Sequence, residues 1–473
     1  MLRKFGKSVL IYGLVPSFSK FIGIFLLPVY TRIFIPEEFG VVDLLNVSIS
    51  LLVIFISLEI WNGVGRYFGE TNNIENKRIL VSTGLFSLIT ITVFAVLVIT
   101  LSSRFLTVQL LQSLKYHNAF LLAGFWLPVT CVNTFLSVVM RYENKPWWYF
   151  GIAMVQLILK IVVTLAAVLI FEMGISGIYI GQITGGLVGS FFLLFVLRKY
   201  ITLAMKKQVL TKVLSFSIPL AITTGALFLH QSINRFIILK FLSLEALGLY
   251  AVALKIASIF GMLRVAFRMA WEPFAYNNLD KENHREDMAR IYRVMLLMSG
   301  ILLLAITLFS REIMSVLASE EYFSAFALTG FLCIYTVMTM YKSIVEIGAK
   351  IAKRPFYSTI ASIVGMLVNL LLLLVFLPKF GLISAAISLC IGGLVSLILA
   401  WHFSYKLYPI EFPKILTALL ISLLFVVAII NNQYNFTAWS KLAFMAITLT
   451  LSLFYFKNDS IKSLMALNKG VKG

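Results

Sequence analysis

Charged residues are scarce in this chain: only 13% of its 473 positions are Asp, Glu, Lys or Arg, about half the share of a soluble domain. So little charge cannot cover a water-facing surface, which excludes a string of ordinary soluble domains despite the length. Cysteine is rarer still. Cys131, Cys333 and Cys390 are odd in number, lie within apolar runs and fit no metal spacing, so they are expected to be small buried hydrophobes. His117, His230, His284 and His402 are scattered, with no H-E-x-x-H frame. A G-x-x-x-x-G-K-[S/T] phosphate loop is missing, since Phe5-Gly6-Lys7-Ser8 lacks the upstream glycine. That excludes an ATP-driven pump within the chain. Connections between apolar runs are too short to hold the outer catalytic loop of a membrane glycosyltransferase or sugar polymerase. No catalytic residue, metal site or cofactor is assigned, and the expectation is a protein that is not an enzyme.

What the chain has is hydrophobicity: 60% apolar residues and a mean hydropathy of +0.96. Its apolar runs are about twenty residues long and unbroken, the length of a membrane-crossing helix and too long for the roughly ten-residue alternating strands of a barrel. The predicted class is therefore an all-α polytopic membrane protein. Fourteen spans are expected, near 8–30, 41–62, 80–101, 118–140, 150–171, 175–197, 213–238, 247–270, 291–309, 323–348, 357–377, 382–404, 413–430 and 439–456. The opening MLRKFGK leads into a run that continues past Pro16 without a small-residue cleavage site, so it is expected to be an uncleaved first span.

The net charge of +20 forms no aromatic-interleaved patch, which argues against nucleic acid. Placing both termini in the cytoplasm puts 27 Lys and Arg residues in inner loops and tails and 7 in outer loops. This alternation fits the positive-inside rule. The chain also repeats itself. Lys145-Pro146-Trp147-Trp148 opens span five, and Arg354-Pro355-Phe356-Tyr357 opens span eleven. Gly185-Gly186-Leu187-Val188 in span six returns as Gly392-Gly393-Leu394-Val395 in span twelve, and Gly174 matches Gly381. Two six-span halves of the same orientation follow, covering residues 1–212 and 213–410, with two extra spans and a cytoplasmic tail in 411–473. Parallel repeats of this kind are a transporter architecture with the substrate path between them. Gly177, Gly181, Gly185 and Gly189 in span six, and Ser384, Ser388, Gly392 and Ser396 in span twelve, form small-residue stripes for close helix packing.

Charges inside spans are costly, by at least a few kcal/mol near the bilayer centre. The basic ones are Lys20, Lys160, Arg235, Lys255, Arg264 and Lys342; the acidic ones are Asp43, Glu59 and Glu346. Lys342 and Glu346 share a helix face at i, i+4, where they could neutralise each other. Lys20, Lys160 and Lys255 lie roughly 12–20 Å from a span end, too deep to snorkel completely. Arg235 lies nearer an end and could snorkel. Span seven adds Ser217, Thr224, Gln231 and Arg235 on a polar face, with two readings open: interhelical hydrogen bonding or the wall of a wet cavity. A surplus of buried positive charge attracts an anion, phosphate above all. The candidate substrate-binding residues are Lys20, Lys160, Gln231, Arg235, Lys255 and Arg264. Glu59, Asp43 and Glu346 are the candidate ion-coupling residues, for a proton or sodium gradient.

A set of short motifs carries a family likeness. They are Pro36-Glu37-Glu38-Phe39-Gly40, Gly65-Arg66-Tyr67, Trp271-Glu272-Pro273-Phe274, Lys353-Arg354-Pro355, and Asn369 followed by Leu377-Pro378-Lys379-Phe380-Gly381 and Ala385-Ala386. In order and placement over spans one to twelve, the chain resembles the Wzx-type oligosaccharide flippases of the multidrug/oligosaccharidyl-lipid/polysaccharide (MOP) exporter superfamily. The resemblance implies a V-shaped pair of six-helix lobes around a central cationic cavity, in the inner membrane of a bacterium. It implies flipping of undecaprenyl-pyrophosphate-linked oligosaccharide repeat units, for O-antigen, capsule or exopolysaccharide, by alternating access, with glycan polymerase machinery as a candidate partner. Basic cavity residues in the family come from spans one, two, seven and eight, where Lys20, Arg235, Lys255 and Arg264 lie here. Span two departs by carrying Glu59. The alternatives are a lipid II-type flippase, which shares the fourteen spans and a lipid-facing groove on the added pair, and a multidrug cation antiporter of the same superfamily.

Overall fold

The computed structural model describes residues 23–456. Among them every regular element is a helix, and twelve helices are long and apolar enough to cross a membrane. These twelve match predicted spans two to thirteen, from Pro36–Ser57 to Lys414–Gln433. The helix Ala438–Phe456 stands where span fourteen is expected. Most of the expected first span, Lys20 included, lies outside the described residues; its described end contains the helix Leu27–Ile33.

Local chemistry sets the helix ends. Asn73 caps span three by accepting from the backbone N–H groups of Glu75 at 2.8 Å and Asn76 at 3.3 Å. Ser243 caps span eight through Ala246 N–H at 3.1 Å. Span two differs from the single helix expected. It breaks into Pro36–Ser57 and Ile60–Glu70 at Leu58 (φ 50°) and Glu59 (φ 55°), two adjacent left-handed residues, neither of them glycine. That backbone region disfavours side chains and persists only where surrounding contacts impose it.

The repeat extends to backbone conformation. Asn144 (φ 59°) and Lys353 (φ 57°) are left-handed at equivalent positions, two residues before Pro146 and Pro355. Gly174 (φ 53°) and Gly381 (φ 66°) make the equivalent turns into spans six and twelve. The small-residue stripes pack as anticipated. A Cβ on Gly181 would lie 2.0 Å from Thr164 Oγ1 and 2.7 Å from the Lys160 carbonyl, so span six sits directly on the backbone of span five. In the other half, a Cβ on Gly392 would lie 2.5 Å from the Gly365 carbonyl of span eleven, and the reverse approach is also 2.5 Å.

The chain packs as two units. Among the described residues, the first contains Glu37–Phe236; the second contains Ile24–Pro36 and those from Ile237 onward. Span seven, Lys207–Phe241, opens the second sequence half but packs with the first unit up to Phe236. In the second unit, Arg311 donates to the carbonyls of Asn431 (3.1 Å) and Asn432 (3.2 Å) at the end of span thirteen. Lys441 is almost completely buried and paired with Glu312 at 2.6 Å. These contacts fasten the added pair of helices to that unit.

Candidate functional site

In the first unit, spans two and seven run antiparallel along a shared seam. Arg235 Nε donates to Asp43 Oδ2 at 2.6 Å near one end. Midway, Gly225 faces Phe55, whose ring a Cβ would meet at 2.6 Å. Further on, Gly63 faces Ser217 Oγ at 2.4 Å by the same measure, and beyond it Arg66 lies over the Phe216 ring at 4.5 Å. As position rises along span two it falls along span seven, and Gly225 and Gly63 make room for the facing Phe55 and Ser217.

This seam decides much of the span-seven stripe. Ser217 is completely buried against Gly63, and Arg235 is held by an acid, so both ends serve helix–helix contact. Gln231 is exposed, and its carbonyl accepts from Arg235 Nη1 at 3.4 Å. Arg235, expected to snorkel or face a cavity, is therefore directed by Asp43; the two side chains are only 16% and 20% exposed. Tyr179 of span six is fully buried. Its hydroxyl has no hydrogen-bond partner among the described residues.

Glu59 sits at the break in span two, 5% exposed, with its carboxylate accepting from Asn62 Nδ2 at 2.5 Å. Its backbone N–H donates to Ser57 Oγ at 3.3 Å. Lys160 lies where span five meets the glycine stripe, with its Cβ 3.0 Å from a Cβ built on Gly185. The turn between spans four and five is tied by Glu143, which accepts from Lys199 at 2.5 Å and from Tyr200. Burial raises the Glu143 pKa, but these two donors and Lys145 outweigh it and hold the carboxyl below its ordinary range.

The second unit arranges its charges differently, as a ladder down one face of span ten. Arg264 of span eight, half-buried, donates from Nη1 to Thr339 Oγ1 at 3.0 Å. One turn on, Lys342 donates to Ser362 of span eleven. Glu346 follows, but its ion-pair partner is Lys350 at 3.0 Å rather than Lys342. Lys350 also bridges to Glu272 at 2.9 Å, and that second acid draws the shared ammonium into place between the carboxylates. Lys342 therefore makes no contact ion pair with Glu346, although Glu346 still acts on it electrostatically. Lys255, higher on span eight, is exposed.

Sequence reasoning missed Thr339, Ser362, Glu272 and Lys350 as partners of in-span charges. A signal was present for two of them: Lys350 stands i, i+4 from Glu346, and Glu272 belongs to the Trp271-Glu272-Pro273-Phe274 motif. Thr339 and Ser362 had none, because a lone hydroxyl on an apolar helix ordinarily bonds back to its own backbone.

The family model described as "Polysaccharide biosynthesis protein" matches residues 29–263. No curated protein matches the chain in sequence. Among solved structures, the lipid II flippase MurJ in an inward closed conformation is similar, with a TM-score of 0.69 and 15% identity over 95% of this chain and 99% of that one. An inward-facing multidrug resistance MATE family transporter of the MOP superfamily gives 0.64 and 13% over 84% and 94%. A Vibrio cholerae MATE transporter, VcmN, gives 0.52 and 16% over 82% and 97%. At these identities the likeness establishes a common fold. The chain thus matches a polysaccharide-biosynthesis family model over residues 29–263, has twelve described helices long and apolar enough to cross a membrane, and shares the fold of the MOP-superfamily MATE transporters and of MurJ.

Proposed function

We propose that this protein flips a polyprenyl-pyrophosphate-linked oligosaccharide across the cytoplasmic membrane of a bacterium by alternating access. The observation that carries the reading is the pairing of Arg264 and Lys342. Both are buried or half-buried inside spans, yet their closest partners are the neutral hydroxyls of Thr339 and Ser362. A cation kept at membrane depth by an uncharged partner retains its charge for an anionic ligand, and a pyrophosphate cannot cross hydrocarbon without such compensation. An antiporter of cationic drugs would need the opposite balance.

The second unit also offers an apolar groove of about 200 Å³ between spans nine, thirteen and fourteen. Leu297, Leu304, Leu420, Leu423 and Met445 are among its walls. This lining suits an isoprenoid chain, which gains about 0.8 kcal/mol for each CH₂ it buries. The groove supports a cargo whose tail stays in an apolar environment while its head crosses.

Proteoliposomes loaded with a glycosidase test the reading, using a labelled polyprenyl-pyrophosphate oligosaccharide added outside. The expected result is lumenal cleavage that falls at least about tenfold in Arg264→Gln and Lys342→Gln, equivalent to losing one charge-assisted contact. Failure to move this cargo, with uptake of a cationic dye instead, would replace the reading with the multidrug one.

A further inference from the structure

In the first unit, Arg235 does not present an uncommitted guanidinium to a ligand, because an acid of the same unit already occupies its Nε at 2.6 Å. We infer that Asp43 is an internal anion that competes with the phosphorylated cargo for Arg235. Cargo binding therefore exchanges one anion for another at this side chain. The inference rests on the lipid-linked reading above and assigns Asp43 a part in it other than ion coupling.

Three observations support the exchange. The first is stereochemical. A guanidinium offers five N–H donors in a planar fork that suits carboxylate and phosphate alike, so both anions satisfy the same group. The second concerns where Asp43 goes once displaced. A bare carboxylate in this setting would be costly, and the same unit holds a fully buried Tyr179 hydroxyl that donates to nothing among the described residues. That unused donor is a candidate partner for the carboxylate once it leaves Arg235. The third is mechanical. Asp43 is carried by the segment Pro36–Ser57, which ends at the left-handed pair Leu58 and Glu59. Backbone held in this region is imposed by surrounding contacts, and the Asp43–Arg235 pair is a polar contact that ties this segment to span seven. Exchange would loosen that tie and let the segment turn about Leu58–Glu59, which links cargo arrival to movement of span two.

The test is calorimetric titration of the purified full-length protein with farnesyl pyrophosphate, with farnesol as the uncharged control. Asp43→Asn keeps the shape and removes the competing charge, so it is expected to bind farnesyl pyrophosphate about tenfold tighter or more. Asp43→Glu should stay near the native affinity, and Arg235→Gln should bind about tenfold weaker. The deciding arm is the double variant: without Arg235, removal of the Asp43 charge should have no effect. If Asp43→Asn proves unstable, Asp43→Ser supplies the same comparison. Unchanged affinity in Asp43→Asn overturns the exchange, as does equal tightening in the Arg235→Gln background, which would mark a diffuse charge effect. Weakening by Arg264→Gln alongside a silent Asp43→Asn would refute the exchange and leave the lipid-linked reading intact. If farnesol bound as well as farnesyl pyrophosphate in every variant, both would fall.

Discussion

The two sequence halves share their packing and differ in their charges. Spans five and six meet through Gly181 and Gly185 as spans eleven and twelve meet through Gly365 and Gly392, helix backbone against helix backbone. The turns between them use Gly174 and Gly381 in nearly the same conformation. The charges follow no such rule. The first unit holds the Asp43–Arg235 pair and a buried Glu59 at a helix break; the second holds the ladder Arg264, Lys342, Glu346, Lys350 and Glu272. Close packing tolerates little change after a duplication, because any added side chain collides with backbone. A charge on a half-buried face can move as long as it finds a partner. The frame was therefore kept and the electrostatics diverged.

Substitutions that add a single methyl probe the shared frame. Gly181→Ala and Gly392→Ala should each destabilise by about 3 kcal/mol, the upper end for overpacking a core, because the atoms in the way include carbonyl oxygens of the neighbouring helix. Thermal unfolding in detergent should show similar losses for the two. A large loss in one half and none in the other would mean that the small-residue stripes are not equivalent. Gly174→Ala and Gly381→Ala come next, at about 1–2 kcal/mol each. No atom lies within 4 Å of a Cβ at either site, so only the backbone strain of a positive φ contributes.

This contrast explains what could be read in advance. Span positions, the repeat and the small-residue stripes were legible because apolar run length and fixed spacing express backbone geometry directly. The buried cysteines were legible for the same reason: Cys131, Cys333 and Cys390 are all at 0% exposure. The break at Leu58–Glu59 was not, since neither residue favours a left-handed conformation and no proline or glycine marks the site. The partners of the in-span charges were only partly legible. Residue type and depth identified Arg235 and Arg264 as unusual, but Asp43 is 192 positions from Arg235 and Thr339 is 75 from Arg264. Helical periodicity carries no information across such separations, and Lys350 was passed over because it lies at a span end, where a lysine is unremarkable.

The smallest expected effect makes the sharpest comparison. Asn144 and Lys353 occupy equivalent left-handed positions, and their backbone N–H groups donate to equivalent carbonyls, Arg141 at 3.1 Å and Lys350 at 3.0 Å. Asparagine adopts this conformation readily, whereas lysine bears a steric cost there. Lys353 is exposed, so its side chain contributes little packing to offset that cost. Lys353→Asn should therefore stabilise the protein by about 0.5 kcal/mol, seen as a slightly higher unfolding temperature, while Asn144→Lys should lower it by a similar amount. A loss of stability in Lys353→Asn would show that the two turns are alike in backbone only. A gain in stability accompanied by slower transport would be more telling. It would mean that the second half retains a strained lysine at the turn before span eleven for the positive charge it holds there, and that the divergence of charge between the halves extends beyond the spans to the turns that join them.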